Sequence, residues 1–268
     1  MKVKIFKSIL AAVLVCIMLT LGLAGCASPN KDWEDIGPKG KMLIGITDYP
    51  PMNYKDADGK WIGFESEFAE AVCAILGVQA EFVEINWDSK EAELKAKNID
   101  CIWNGMTITD ERAKAMDISE RYMNNRQVLI VKAENKDKYK TADDLAGAVL
   151  VAEQGSTMEE FIKSNEFFAK ASYTAVDRQI TGFMEVKAGT ADITVTDYVM
   201  AIDMLKAGGD YTDLVLIDEN FPAEEFGIAF RKNSPDTVAK VNAAIDELKS
   251  NGKLQEIADK YGLGDLLK

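Results

Sequence analysis

Residues 104–117 read NGMTITDERAKAMD, and they place a glycine, two threonine hydroxyls and an arginine close together. The stretch reads as a strand end, a short loop and the first turns of a helix. Thr109 fits the N-cap, and Asp110 and Glu111 are the acids that favour a first turn. Arg112 then falls at about the third helical position, where a cation faces the positive end of the helix dipole at a cost of roughly 0.3–1 kcal/mol. An arginine is sensible there if it shares an anion with the loop. Backbone N–H groups at a helix start and the hydroxyls of Thr107 and Thr109 are anion-binding elements, and a guanidinium can grip a carboxylate with two parallel hydrogen bonds. The plain alternative is a surface ion pair with Asp117 or Glu120, worth about 0–1 kcal/mol. Position alone leaves both open.

The elements around this loop alternate between strand and helix. KMLIGIT (41–47) reads as a strand, and Phe64, Phe68, Val72 and Ile75 recur at helical spacing over 64–76. Strands follow at 80–86, 99–103, 126–132, 148–153, 192–196, 214–217 and 226–232, and helices at 90–97, 158–168 and 179–188. Thr141 to Asp144 carries a capping signature for a short helix. Ser234-Pro235-Asp236 reads as an N-cap with proline at the first helical position; Val238, Val241, Ile245 and Leu248 then line one helix, and Leu254, Ile257 and Tyr261 a second. Such alternation predicts an α/β fold with largely parallel sheets.

One internal likeness suggests two sheets. ELKAKNIDCIWNG (93–105) lies over EVKAGTADITVTD (185–197) without a gap, matching Glu93 to Glu185, Lys95 to Lys187, Ala96 to Ala188 and Asp100 to Asp192. The strand ends near Gly105 and Asp197 become equivalent points of two lobes. Ligands of open α/β sheets bind outside the carboxyl ends of strands.

The N-terminus reads as an export signal. Lys2, Lys4 and Lys7 precede an apolar run from about Ile9 to Leu23, which ends in Leu23-Ala24-Gly25-Cys26. Residues 26–39, polar and with Gly and Pro, then read as a tether. The chain of 268 residues has a formal net charge of −13, and losing three signal lysines makes the remainder more acidic. That argues against nucleic acid, which needs a basic footprint. The chain has no histidine, so the commonest general base and metal ligand are missing. Cys73 and Cys101 form no disulfide framework, and two buried thiols are the simpler expectation.

The motif GMTITDERAKAMDISERY resembles the signature of the family 3 solute-binding proteins, which deliver polar amino acids to ABC importers. Its counterparts here are Gly105, Thr107, Thr109, Arg112, Ile118-Ser119 and Tyr122. GFESEFAEAV (63–72), QGST (154–157), TADITVTD (190–197) and NGKLQEIADKYG (251–262) also have family counterparts. The resemblance implies a two-lobed periplasmic-binding-protein fold in which each lobe is a largely parallel sheet flanked by helices, with two hinge crossings. It places lobe 1 at 40–127 and 226–268 and lobe 2 at 128–225. Leu23-Ala24-Gly25-Cys26 resembles the lipobox of bacterial lipoproteins, which implies a signal peptide at 1–25 with Cys26 as the lipidated residue, the alternative being an uncleaved transmembrane anchor. Arg112 would bind a ligand α-carboxylate, helped by Thr107 and the turn ending at Thr157. Asp197 would bind the α-ammonium with the Gly105 carbonyl, unless it only caps a helix starting at Tyr198. Tyr49 and Trp87 would pack around the ligand side chain, while Asp48 and Glu153 would reach its tip. Trp103 fits core or pocket wall equally.

The expected function is capture of a free polar amino acid, with a lean to a cationic one, and its delivery to an ABC permease. The protein would be a monomer without cofactor or metal, lipid-anchored on the extracytoplasmic face of the cell membrane. The lean to a cation rests on two acids, Asp48 and Glu153, at the side-chain end. The alternative is an enzyme, since some proteins of this fold are cyclohexadienyl dehydratases.

Overall fold

Lobe by lobe, the fold is set by amphipathic helices closing over short apolar strands. The structure, a computed structural model, describes residues 32–217 and 221–268. The segment read as an export signal, and Cys26, lie outside these residues. The first part of the chain runs through α1 (Asp32–Lys39), β1 (Lys41–Ile46), β2 (Tyr54–Lys55), β3 (Trp61–Ile62), α2 (Phe64–Ile75), β4 (Gln79–Glu84), α3 (Lys90–Lys95), β5 (Cys101–Ile102), α4 (Asp110–Ala115) and β6 (Met116–Ile118). A second group follows: β7 (Met123–Lys132), β8 (Val149–Glu153), α5 (Thr157–Ser164), β9 (Ser172–Val176), α6 (Gln179–Ala188), β10 (Ile193–Asp197), α7 (Tyr198–Met204), β11 (Leu214–Ile217) and β12 (Ala223–Phe226). The chain then returns to the first group with β13 (Ala229–Arg231), α8 (Pro235–Ser250) and α9 (Lys253–Lys260).

These strands make two main sheets, ordered β4-β1-β5-β13-β6 and β11-β7-β10-β8-β9. Each has a parallel core, β4-β1-β5 in one and β10-β8-β9 in the other. The sheets are more mixed than the strand–helix alternation predicts. β13 runs antiparallel to β5 and β6, and β7 runs antiparallel to β10, β11 and β12. The reason is connectivity: β7 carries the chain from one sheet to the other, β12 brings it back, and returning strands run the opposite way. The helices cover the faces as their periodicity requires. Phe64, Phe68 and Val72 of α2 and Val241, Ile245 and Leu248 of α8 are buried.

The internal likeness has a structural basis. Asp100 Oδ2 accepts from Leu43 N of β1 at 2.9 Å, and Asp192 Oδ2 accepts from Val149 N of β8 at 2.9 Å. In each lobe an aspartate just before a strand thus fixes the start of its parallel neighbour. Both cysteines are free and buried, and burial raises both thiols, Cys73 to about 12.

Two local expectations change. The capping signature forms, with Thr141 N donating to Asp144 Oδ2 at 2.8 Å and Asp144 N to Thr141 Oγ1 at 3.4 Å. The segment remains a series of turns, because Gly147 at φ 80° ends it before a helix can propagate. The expected tether is also partly folded. Residues 32–39 form α1, whose Ile36 is buried in the core. Asp32 Oδ2 accepts from Arg231 Nε at 2.8 Å and from Ser234 Oγ at 2.8 Å, and Arg231 Nη2 also donates to Asp100 Oδ1 at 3.0 Å. A composition that is merely polar gave no sign of a buried ion pair nearly 200 residues away.

Removing one partner of a buried ion pair costs several kcal/mol. Since Asp100 still faces Arg231, Asp32→Ala is expected to cost about 3 kcal/mol, or a melting-temperature drop of roughly 6–12 °C for a chain of this size. Parental melting would mean that α1 is undocked in solution.

Candidate ligand site

The strand ends near Gly105 and Asp197 do meet. Between the lobes lies a tight cavity of ≈ 10 Å³, lined among others by Trp87, Gly105, Thr107, Arg112, Glu153, Thr157 and Asp197. A larger groove of ≈ 600 Å³ lies open to solvent beside Ile118, Lys232 and Val238. The charged residues that line it already have partners, Lys232 with Asp117 at 3.1 Å and Arg121 with Glu225.

Arg112 is only 5% exposed, and its surface-pair candidates are engaged elsewhere, Asp117 with Lys232 and Glu120 with Lys249. Thr109 is the N-cap, its hydroxyl accepting from Arg112 N at 3.2 Å. The guanidinium donates from Nη1 to Thr107 O at 3.0 Å and from Nη2 to Gly155 O at 3.5 Å. Burial lowers its pKa, while nearby acids, among them Glu224 and Asp197, work the other way. A guanidinium has five N–H donors, so donors remain beyond these two carbonyls for an anion in the cavity.

Asp197 ends β10 and occupies the N-cap position of α7, yet its side chain makes no cap bond. It turns instead to Tyr49 Oη at 2.8 Å, Gln179 Nε2 at 2.7 Å and Asn125 Nδ2 at 2.6 Å. A carboxylate offers about four lone-pair sites, so one remains for a ligand donor. Burial raises the Asp197 pKa, and these hydrogen bonds oppose the rise. Tyr49 is thus not a wall of the cavity but the support beneath it. Its ring lies against Gly105, where an added Cβ would stand 2.6 Å from Tyr49 Cε1 and the backbone has φ 55°. Glycine is required there.

Glu153 is 3% exposed and faces the cavity. Burial first, then the Asp197 charge, pushes its pKa up to about 8, while Lys90 pulls it down. Asp48 does not join it. Asp48 lies in a neighbouring cleft with Glu84 and Asp177, 3.9 Å from Arg178, and among the described residues it lines no part of the enclosed cavity. A one-residue step along the strand end turns Asp48 away from the side that holds Tyr49. Trp103 resolves to core: it is fully buried, with its ring edge-on to Phe68 at 4.9 Å. Trp87 lines the cavity and also belongs to a core cluster with Leu94 and Met106.

Sequence reasoning missed three charged residues here. Glu65, fully buried, accepts from Gly105 N at 2.9 Å, from Asn53 Nδ2 at 2.8 Å and from the Tyr122 hydroxyl. It holds the loop that precedes Arg112. Lys90 is 4% exposed, and its Nζ donates to Trp87 O at 3.2 Å and across the lobes to Gly155 O at 2.8 Å. Its charge acts on Glu153 from behind the cavity lining. Glu224 on β12 accepts from Thr107 Oγ1 at 3.1 Å. Glu65 lies within the GFESEF segment, so a signal for it existed; Lys90 starts a helix that gave no sign of its contact with Gly155, and Glu224 sits in a stretch without pattern.

Contacts across the lobes are close. An added Cβ at Gly155, φ 70°, would stand 2.8 Å from Asp88 Cα, so only glycine allows this approach. Burial raises Glu65 to about 7, Glu153 to about 8 and Glu224 to about 7, from 4.5. A carboxyl group with a raised folded pKa binds more protons folded than unfolded between its two values. Its contribution is fully present below about pH 4.5 and is lost as pH rises through about 7–8. The ligand-free melting temperature is therefore expected to fall between about pH 5 and about pH 8, with a shallower slope in Glu153→Gln. A flat or rising profile in calorimetry would show that water reaches these acids.

A family model of the bacterial extracellular solute-binding proteins, family 3, matches residues 42–264. The L-cystine-binding protein TcyJ of Escherichia coli is 33% identical over 261 residues, which cover 97% of this chain and 95% of that protein. The L-arginine-binding protein of Pseudomonas aeruginosa is 34% identical over 226 residues, covering 82% and 87%. Among solved structures, an ABC uptake transporter substrate-binding protein from Streptococcus pneumoniae with bound histidine superposes with a TM-score of 0.83 at 30% identity, covering 88% of this chain and 98% of that one. An ancestral arginine-binding protein bound to arginine gives 0.78 at 33%, covering 83% and 98%. With two lobes around a charged cavity and a family match along nearly all of its described length, the chain belongs to the bacterial extracellular solute-binding proteins, family 3.

Proposed function

We propose that the protein captures a free amino acid between its lobes and delivers it to an ABC permease. The observation that carries this is the pairing of opposite charges at the two strand ends, Arg112 on one lobe and Asp197 on the other, in one enclosed cavity. Arg112 with the Thr157 hydroxyl and the Thr107 backbone takes the α-carboxylate, and Asp197 with the Gly105 carbonyl takes the α-ammonium. Trp87 and Glu153 face the side chain. Delivery rather than turnover is also supported by the relatives, which are named as binding proteins. One structural neighbour is an ancestral amino acid-binding protein, a precursor of cyclohexadienyl dehydratase.

The ligand side chain is cationic in this reading. Glu153 is a buried carboxylate facing the cavity, and with Asp48 turned away it alone carries the argument. Ionised, it needs a cation to offset desolvation, and the Trp87 face adds a cation–π contact worth about 0.5–2 kcal/mol. Lys90 offsets part of that need from outside the cavity wall. Competitive titration with arginine, glutamine, cystine and glutamate tests this, arginine being expected to bind tightest. Tightest binding of glutamate would overturn the charge argument. Arg112→Ala should leave a carboxylate buried without its partner, costing roughly 3–5 kcal/mol, or more than about a hundredfold in Kd. Wild-type affinity in the folded variant would remove Arg112 from the site.

The N-terminal part of the proposal is lipid anchoring on the extracytoplasmic face of the membrane, through Cys26. Its support is the sequence Leu23-Ala24-Gly25-Cys26 after a basic, then apolar, segment. Cys26→Ala should move the protein from the membrane fraction to the soluble one. A variant held as firmly as the parent would contradict lipidation.

A further inference from the structure

Both halves of the proposed zwitterion site lead back to one side chain on the returning strand. Glu224 lies opposite Asn125 in the β12–β7 pair, at the point where the chain passes between the sheets. Its Oε2 accepts from Thr107 Oγ1 of the Arg112 loop at 3.1 Å and from Asn125 Nδ2 at 3.3 Å. Its Oε1 accepts from Gln127 Nε2 at 2.9 Å. Gln127 is two residues further along β7, where that strand already pairs with Asp197 of β10. The same Gln127 Nε2 donates to Thr157 Oγ1 at 3.0 Å, and Asn125 Nδ2 donates to Asp197 Oδ1 at 2.6 Å. The Thr107 loop is itself sewn to β12, by Ile108 N to Glu225 O at 2.9 Å and Gly227 N to Met106 O at 3.0 Å.

One oxygen of Glu224 therefore holds a lobe 1 group, and the other holds a residue paired into the lobe 2 sheet. A bend of the β7–β12 ribbon that opens the lobes must lengthen one of these bonds. All three partners donate, so the acceptor-only carboxylate suits them and an amide does not. Neighbouring Glu225, on the other face of the ribbon, pairs with Arg121 and Lys268 and takes no part.

We propose that Glu224 is the positioning residue that ties the hinge angle to the assembly of the ligand site, setting Thr107 directly and Thr157 through Gln127. The assignment rests on the amino-acid-binding reading for what the site holds, but its effect on lobe closure does not need a ligand. Glu224 touches no ligand in this scheme. It acts through the groups it orients, so it tunes affinity for every amino acid alike and leaves ligand ranking to Glu153 and Trp87.

The test compares parent, Glu224→Gln and, as a second route to the same break, Gln127→Ala. Small-angle scattering of the full chain without ligand is read first. Both variants are expected to be less compact than the parent while still melting in one cooperative transition. Affinity for arginine should then fall about tenfold or more, about 1.4 kcal/mol, with the order among arginine, glutamine, cystine and glutamate preserved. Parental ligand-free compactness in either folded variant overturns the assignment. So does a changed ligand order, which would make Glu224 a selectivity group. A parent that binds none of the four amino acids would defeat the amino-acid reading, and the ligand-free scattering would still decide the role of Glu224.

Discussion

Buried negative charge is the constraint on which the site depends. Glu153 and Asp197 face the space between the lobes, and Glu65 and Glu224 lie behind it, bonded to the Gly105–Thr107 loop, against the two cations Arg112 and Lys90. Taking carboxylates out of water is costly unless they are hydrogen-bonded or paired. The structure answers with donors: Tyr49, Asn125 and Gln179 on Asp197; Gly105 N, Asn53 and Tyr122 on Glu65; Thr107, Asn125 and Gln127 on Glu224. Glu153 is the least provided for, with Gln179 and the field of Lys90 as its main support. Where protein donors run short, a ligand cation has the most to gain. Burial raises the pKa of all four acids, and the donors around them oppose the rise.

Those donors also explain why the lobes meet as they do. Tyr49 belongs to the first lobe and Asp197 to the second, so their bond exists only while the lobes are together. Lys90 and Arg112 reach the Gly155 carbonyl under the same condition. Closure therefore exchanges hydration of several charged groups for a fixed set of protein dipoles. On the proposed assignment, a ligand would add a carboxylate for Arg112 and an ammonium for Asp197 to that set, and differential affinity of this kind is what shifts a conformational equilibrium.

Much of the fold was legible in the sequence because its signals are local. Helical spacing at Phe64, Phe68 and Val72, alternation in β4 and the apolar runs of β7 and β10 all depend on near neighbours. The Arg112 loop was legible for a different reason: a cation at a helix start breaks a local rule, and such breaks concentrate at functional sites. What could not be read depends on distant pairs. The tether reading missed α1 because its stabilising partner, Arg231, comes from the other end of the chain. Asp48 was misassigned because strand spacing does not say which side of a strand end faces a cleft. Glu224 was missed because PAEEFG has no periodicity, and its importance comes from lying across from Asn125.

The way the two ends of the described chain are fastened has a mechanical consequence. Asp32 is clasped by Arg231 and Ser234, both rooted in the first lobe. A pull on the N-terminal side is thus borne by that lobe and never crosses the ribbon between the sheets. The other end differs: Lys268 N donates to Tyr122 O at 3.0 Å, and Leu267 bridges Met123, the first residue of the crossing strand. Anything fused after Lys268 loads the pivot itself. A reporter or surface attachment placed at the N-terminal side leaves lobe motion free, whereas the same attachment at the other end acts as a brake.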